Sequence, residues 1–231
     1  RISPTSWSKL QLAVTKTLSR PDFYRLVPYE EINYTESFME KGNAELRHTR
    51  AWNYDVYLTL FNRYGLFTTG AFYKKLWDVD YLRETKISWK NRTWRFVQAV
   101  NAEDPSTVYG AEVEIQTNLS LLPNPFDGIV FSGNFTLMKS QTYYPFYISR
   151  RGPPPRFTPI IVDTTRSGPM PGQAEKIWNI AVGYEKGGFS GRLSIVFMGK
   201  SLIFVGTQEE LDGYTDEYHR WDLALQQKIF S

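Results

Sequence analysis

Residues 108–121 read Val-Tyr-Gly-Ala-Glu-Val-Glu-Ile-Gln-Thr-Asn-Leu-Ser-Leu and alternate between two kinds of side chain. The odd positions from 109 onward are mostly apolar, whereas the even positions from 110 are Gly, Glu, Glu, Gln, Asn and Ser. A period of two predicts a β-strand with one apolar and one polar face. The run is also long, because strands of globular proteins usually have about 5–6 residues.

The same alternation recurs along the chain and no amphipathic helix interrupts it. Each repeat places aromatic or aliphatic side chains on one face and polar or small side chains on the other. The sequence therefore predicts an all-β protein, an antiparallel meander of about eight long strands. The predicted strands cover residues 8–18, 52–61, 66–77, 108–121, 128–139, 176–185, 189–199 and 218–229.

The connections between these strands are alternately short and long. The short ones, at 62–65, 122–128 and 186–188, are rich in the Gly, Asn and Pro of tight turns. In an antiparallel meander, alternate connections lie at the same end of the sheet, so all the long ones should share one end. Short periplasmic turns opposite long extracellular loops are typical of a transmembrane β-barrel. The predicted extracellular loops cover residues 19–51, 78–107, 140–175 and 200–217.

Aromatic residues make up 16% of the 231 residues, and many of them fall near the ends of the predicted strands. Two aromatic girdles around an aliphatic band are what the two interfaces of a bilayer select. Membrane-spanning helices are excluded, since the mean hydropathy is −0.41 and no apolar run approaches the roughly 20 residues that such a helix needs. Nucleic acid is not an expected partner, because the net charge is only +3 and no Lys/Arg block occurs.

Several longer strings resemble the strand and loop signatures of TonB-dependent outer-membrane receptors. The clearest is Gly42-Asn43-Ala44-Glu45-Leu46-Arg47-His48-Thr49-Arg50-Ala51-Trp52-Asn53-Tyr54-Asp55, although Ala44 and His48 replace prolines that are common in the family. The resemblance runs in the family's order over nearly the whole chain. The other strings are at residues 17–23, 26–29, 64–75, 109–114, 170–179 and 220–229.

The resemblance implies that residues 1–231 are part of a single outer-membrane β-barrel of roughly 22 strands with a plugged lumen. It implies a transporter wall without catalytic activity, located in the bacterial outer membrane and in contact with lipid and lipopolysaccharide. The nutrient would be scarce and too large for a porin, such as a ferric siderophore, a cobalamin-like compound or an oligosaccharide. Energy would come from TonB through a plug domain, which we expect to be absent from this chain.

Two other interpretations of the strand pattern remain open at the level of sequence. A soluble β-rich module that binds glycans through exposed aromatic rings also has alternating strands. A small closed barrel of eight strands with a structural or adhesive role is compatible with the even strand count.

The ligand-binding candidates lie in the third long loop and on one polar strand face. Arg150, Arg151 and Arg156 flank a stiff Gly-Pro-Pro-Pro segment that could meet an anionic ligand or, equally, lipid phosphates. The nearby Tyr143 and Tyr144 could stack on a sugar or a catechol, or cover the barrel rim. Glu112 and Glu114 share a polar face and are expected to line the lumen or to bind the plug.

The sequence indicates no catalytic site, cofactor or metal site. It has no cysteine, and His48 and His219 are far apart in the chain. The acidic run at 209–217 offers oxygen ligands around one Gly, but its spacing is not that of a calcium-binding EF-hand loop. A solvated loop, or one that bridges to lipopolysaccharide, is the preferred interpretation of this run.

Overall fold

The computed structural model describes residues 2–155, 160–206 and 209–229. Its main feature is an antiparallel sheet of ten strands. Their bounds are β1 (Ile2–Thr5), β2 (Ser8–Ser19), β5 (Thr49–Asn62), β6 (Gly65–Trp77), β9 (Ser106–Asn118), β10 (Ile129–Arg150), β11 (Ile160–Gly168), β12 (Lys176–Lys186), β13 (Phe189–Met198) and β16 (Tyr218–Gln227).

The strands of this sheet are paired in the order β1-β2-β5-β6-β9-β10-β12-β13-β16, and β11 pairs with the far part of β10. Consecutive long strands are therefore neighbours, as in a meander, and the eight predicted strands are confirmed. β1 and β16 lie at opposite ends of the order, so the sheet does not close on itself. The alternative of a small closed eight-stranded barrel is therefore not met by this structure.

One face of the sheet is apolar but exposed, whereas the apolar face of a sheet in a soluble protein is buried in the core. The apolar side chains of Val113, Phe135 and Val182 are 37%, 39% and 47% exposed. These three lie on what we call the outward face, because the register pairs Val113 with Phe135 and the alternation is unbroken. An apolar face of this size without a covering layer suits a lipid environment.

The short connections join strands at one end of the sheet, here called the turn end. The Asn62 side chain accepts hydrogen bonds from the amides of Tyr64 (2.8 Å) and Gly65 (3.2 Å), which stabilises the first turn. In the second, residues 119–128, the Lys186 ammonium donates to Asp127 Oδ1 at 2.6 Å. The third turn contains Gly187 and Gly188, both with positive φ (61° and 80°), a conformation that glycine adopts at low cost.

The long connections emerge at the other end, here called the loop end, and they contain secondary structure that the sequence analysis did not predict. The expected loop at 140–175 is mostly an extension of the sheet, since β10 continues to Arg150 and pairs with β11. Aromatic and β-branched residues in both segments explain this extension. The remaining elements at the loop end are α1 (Phe23–Leu26), β3 (Glu30–Asn33), β4 (Phe38–Lys41), β7 (Asp80–Trp89), β8 (Arg92–Asn101), β14 (Ser201–Phe204), β15 (Gly213–Thr215) and a short 3₁₀ turn (Glu209–Leu211). A second 3₁₀ turn (Phe126–Gly128) lies in the second short connection, at the turn end.

In the part of the chain that the structure describes, no helix is long and apolar enough to cross a bilayer.

Candidate functional site

The first two long loops combine into one four-stranded sheet with the order β3-β4-β8-β7. β4 and β8 pair in parallel, with Phe38 opposite Arg95 and Lys41 opposite Gln98. Side chains add to this pairing, since Gln98 donates to the carbonyl of Gly42 at 3.0 Å and Asn43 donates to that of Ala99 at 2.9 Å. Two loops that are separate in sequence therefore form a single platform.

Asp78 anchors this platform to the end of the main sheet. Its carboxylate lies 2.7 Å from the guanidinium of Arg47 and 2.6 Å from that of Arg50. The side chain of Asp78 is only 7% exposed, so these contacts are partly shielded from water. Asn101 completes the junction by donating to the carbonyls of Arg47 (2.9 Å) and Asp78 (2.8 Å).

A small hydrophobic core joins the second, third and fourth loops. It contains Tyr81 and Ala102 from the second loop, Tyr144 from the third and Leu202 from the fourth. The rings of Tyr81 and Tyr144 pack edge to face, with 4.8 Å between their centroids, which is a favoured aromatic arrangement. Burial raises the pKa of both phenols above the ordinary value of 10.0.

Hydroxyl groups satisfy the polar atoms at the base of this core. The Tyr81 hydroxyl and Thr142 Oγ1 form a 2.6 Å hydrogen bond, and Ser106 Oγ lies 2.5 Å from the same Thr142 atom. Ser106 and Thr142 are both fully buried. Because Ser106 belongs to β9 and Thr142 to β10, the hydrophobic core packs directly on the main sheet.

Arg166 of β11 and Asp212 of the fourth loop form a paired contact. The two side chains meet through two hydrogen bonds, of 2.6 and 3.0 Å. The amide of Gly206 also donates to Asp212, at 2.8 Å. Burial alone would raise the pKa of Asp212, but the bonds from Arg166 and Gly206 outweigh it and hold the pKa below the ordinary value.

An aromatic cluster lies at the tip of the four-stranded platform, and the sequence alone did not predict it. Trp89 and Trp94 face each other across the β7–β8 turn at 5.0 Å, and Tyr34 lies 5.4 Å from Trp94. The Lys90 ammonium sits 4.3 Å from the centre of the Trp89 ring, within cation–π range. Two tryptophans flanking the turn residues Lys90-Asn91 were the signal in the sequence that could have revealed it.

The loop residues predicted to bind ligand have different environments. Tyr144 is 4% exposed and donates to the carbonyl of Pro169, so its ring belongs to the loop core. Tyr143 is half-buried, whereas Arg150 and Arg151 are exposed at the far end of β10 and just beyond it. Arg156 lies outside the described residues.

Glu112 and Glu114 lie on the face opposite to the outward face, here called the inward face. Glu112 accepts a 2.8 Å hydrogen bond from the Tyr57 hydroxyl, and Glu114 accepts a 2.7 Å bond from Gln116. Their strand neighbours there are also polar, since Glu114 pairs with Asn134, which accepts a bond from Asn179. The two carboxylates thus belong to a continuous polar surface.

Within residues 2–155, 160–206 and 209–229, no three His, Asp or Glu side chains are grouped so that they could hold a metal ion. The acidic run at 209–217 instead supplies Asp212 to Arg166 and Asp216 to Lys200, the latter at 3.9 Å.

The sequence matches the family model described as TonB dependent receptor-like, beta-barrel, over residues 2–230. The chain belongs to this family. The strand order, the exposed apolar face and the long loops gathered at one end agree with that membership, and the family places the chain in the bacterial outer membrane. No curated protein sequence matches it significantly.

Solved structures of receptors share the fold at low sequence identity. A ferric enterobactin receptor mutant of Pseudomonas aeruginosa in complex with enterobactin aligns with a TM-score of 0.66 and 13% identity, over 99% of this chain and 32% of that one. A siderophore receptor of Acinetobacter baumannii gives 0.62 and 13%, over 99% and 34%. A hemophore receptor mutant of Serratia marcescens, with its hemophore and heme, gives 0.68 and 10%, over 99% and 33%. The chain thus spans about a third of the length of these proteins.

Proposed function

We propose that this chain forms part of the barrel wall and ligand-binding mouth of a TonB-dependent nutrient receptor in the bacterial outer membrane. The observation that carries the proposal is that all four long loops interlock at one end of the sheet. The first two share a sheet, and the last three share the Tyr81–Tyr144–Leu202 core. We refer to this assembly as the loop cap.

A pre-assembled loop cap suits ligand binding, because little conformational entropy is then lost when the ligand binds. The exposed surface of the cap offers aromatic rings beside cations, at Trp89 with Lys90 and at Phe38 with Arg95. The candidates on the third loop are Arg150, Arg151 and Tyr143, together with Arg156, for which the sequence alone supplies the reason. Such groups favour an anionic ligand with flat rings or sugars, for which a ferric siderophore is our first choice and an oligosaccharide our second.

The inward face is proposed to meet a plug domain that lies outside this chain. Its mixture of Glu112, Glu114, Arg192 and Asn179 offers both donors and acceptors to a protein surface. Transport would then depend on TonB acting through that plug, and the wall itself would perform no reaction.

The experiment is binding of a panel of ferric siderophores, heme and oligosaccharides to the full-length receptor that contains this chain. Lys90→Ala should weaken binding of the preferred ligand about tenfold, in line with the loss of an exposed cation that the bound ligand would shield from water. Lys228→Ala, at the turn end, is the matched control and should bind normally. Absence of binding to every ligand class, or an equal loss in both variants, would contradict the proposal.

Uptake provides the second arm. A strain that depends on the full-length receptor should grow on the bound nutrient only when TonB is present. Growth that is independent of TonB would contradict the proposed energy coupling and leave the ligand assignment to the binding data.

A further inference from the structure

A recess interrupts the outward face of the main sheet near the turn end. It has a volume of about 500 Å³ and lies over β10, β12, β13 and β16. Cavities of this size hold a small ligand or part of a larger one. The side chains around it are almost all apolar and include Phe126, Ile129, Tyr184, Phe189, Leu193 and Leu225.

Gly191 creates the gap in the outward face. The register places four outward residues in one row across the strands, Ile129, Tyr184, Gly191 and Leu225. The glycine leaves this row without a side chain at its third position. A Cβ on Gly191 would lie 3.1 Å from Cε1 of Phe189 and 3.2 Å from Cδ2 of Leu225. A large side chain at position 191 would therefore fill the recess.

The second turn forms the wall of the recess at the turn end. Phe126 belongs to the 3₁₀ turn before β10 and is 55% exposed. Lys186 holds this turn in place, because its ammonium donates to Asn124 Oδ1 at 3.0 Å and to Asp127 Oδ1 at 2.6 Å. Since Lys186 is directly opposite Phe189, the ion pair lies beside the rim of the recess.

The surroundings of the recess indicate that lipid fills it. Val182 and Leu193 line the recess and also belong to the outward face, where they are 47% and 44% exposed. The family places the chain in the outer membrane, so the recess is continuous with the surface that meets lipid. An empty gap in that surface would forfeit dispersion contacts with its lining. A flexible hydrocarbon chain restores these contacts.

The charges at the rim favour one kind of lipid head group. The side chains of Lys186 and Asp127 are 35% and 36% exposed, so a third group can reach both. A lysine ammonium has three N–H donors, and Asn124 and Asp127 accept two of them, which leaves one for a phosphate. The adjacent carboxylate attracts an ammonium group and disfavours a head group with a net negative charge.

We propose that this recess binds one acyl chain of a zwitterionic phospholipid, whose phosphate contacts Lys186 and whose ammonium group contacts Asp127. Binding requires only that the outward face lies in lipid. The assignment to the inner leaflet of the outer membrane rests in addition on the proposed function, which places the turn end in the periplasm.

The test measures lipid bound to the delipidated full-length receptor by native mass spectrometry, with phosphatidylethanolamine as the probe. Gly191→Leu fills the recess. Gly133→Leu is the matched control, because Gly133 is also an outward glycine, opposite Ile115 and Ile180, but lies outside the recess. We expect Gly191→Leu to lower the bound phosphatidylethanolamine at least about fourfold, the ratio that corresponds to one buried methylene group. Gly133→Leu should bind as the unmodified receptor. Equal loss in both variants, or loss in neither, would overturn the proposal.

Asp127→Asn tests the head group separately, and it is a mild exchange that keeps an acceptor for Lys186. The unmodified receptor should retain phosphatidylethanolamine in preference to phosphatidylglycerol. In Asp127→Asn the ratio of the two bound lipids should shift toward phosphatidylglycerol at least about fivefold, the scale of one charge at an anionic lipid surface. An unchanged ratio would overturn the assignment of the head group.

Folding and nutrient binding are measured in the same variants. Resistance of the folded band to detergent at room temperature verifies folding. Normal nutrient binding by Gly191→Leu is expected, because the loop cap lies at the opposite end of the sheet. Loss of nutrient binding in the unmodified receptor would count against the proposed function alone, and the lipid measurements would still decide this proposal.

Discussion

Arg166 and Asp212 connect the third and fourth long loops through two parallel hydrogen bonds, 46 residues apart in the chain. The carboxylate of Asp212 is 2% exposed and the guanidinium of Arg166 is 17% exposed. Such a shielded, two-point contact is more stable than an exposed ion pair, because water competes poorly for either group. The fourth loop is therefore held against β11 by a specific polar contact as well as by the hydrophobic core at Leu202.

We predict that Asp212→Asn loosens the fourth loop without unfolding the barrel. Loss of charge-assisted bonds costs about 1.5–3 kcal/mol, so amide exchange in β14 and β15 should accelerate roughly ten- to a hundredfold. Asp216→Asn is the control, since its partner Lys200 is 3.9 Å away and its side chain is 95% exposed. Unchanged exchange in Asp212→Asn, or equal acceleration in both variants, would show that this contact does not hold the loop.

Acid should loosen the same loop. Because the pKa of Asp212 is lower in the folded protein than its ordinary value of 3.8, its contribution is complete above about pH 4 and is lost as the pH falls through the depressed pKa. Exchange in β14 and β15, corrected for the intrinsic effect of pH, should therefore accelerate on acidification to about pH 2–3. The same acceleration in Asp212→Asn would assign the effect to another group.

Gly70 is predicted to be intolerant of a side chain. A Cβ at this position would lie 2.2 Å from Cδ1 of Tyr57, whose hydroxyl is fixed by its bond to Glu112. Gly70→Ala should lower the free energy of unfolding by about 1–3 kcal/mol, the usual cost of overpacking. Gly133→Ala is the control, because the nearest atom to its Cβ would be 3.5 Å away, and it should change the free energy of unfolding little. Denaturant unfolding of the full-length receptor in vesicles measures the free energy for both variants. Equal costs of the two substitutions would contradict the prediction.

The two faces of the sheet should respond differently to charge. Val113→Arg places a cation on the outward face, where the cost near the middle of a bilayer is about 2–4 kcal/mol. Asn134→Arg places the same cation on the inward face, opposite Glu114, and should cost far less. The free energy of unfolding in lipid vesicles distinguishes the two, and a larger loss for Asn134→Arg would mean that the faces are assigned the wrong way round.

Alternation in the sequence was sufficient to predict the eight long strands, because a lipid-facing surface enforces it at every second position. At 108–121, for example, Val113 and Ile115 alternate with Glu112 and Glu114, and no other element competes for that pattern. The structure of the loops was not predictable in the same way. The parallel pairing of Phe38 with Arg95 and the contact between Tyr81 and Tyr144 join residues that are more than 50 positions apart, and no local pattern encodes such partners.

Tyr144 shows that the sequence did not distinguish a loop residue that can contact ligand from one that packs in the loop core. Its neighbourhood of rings and arginines suggested a ligand contact, whereas the structure uses the ring to build the loop core. Trp89 and Trp94 were not predicted to form a cluster, because they lie within residues 78–107, which the sequence predicts to be a loop. A hairpin with Lys90 and Asn91 at positive φ brings them together.

We expect the strands to cross the outer membrane with the loop cap outside the cell, and the absence of cysteine from this chain allows a direct measurement of this orientation. Single cysteines are placed at Ser88, near the tip of the β7–β8 hairpin, and at Ser120, in the turn that follows β9. A full-length receptor with no other cysteine is expressed and treated with a membrane-impermeant maleimide. We predict that Ser88→Cys is labelled in intact cells and that Ser120→Cys is labelled only after the outer membrane is permeabilised. Labelling of Ser120→Cys but not Ser88→Cys in intact cells, or equal labelling of both, would contradict it.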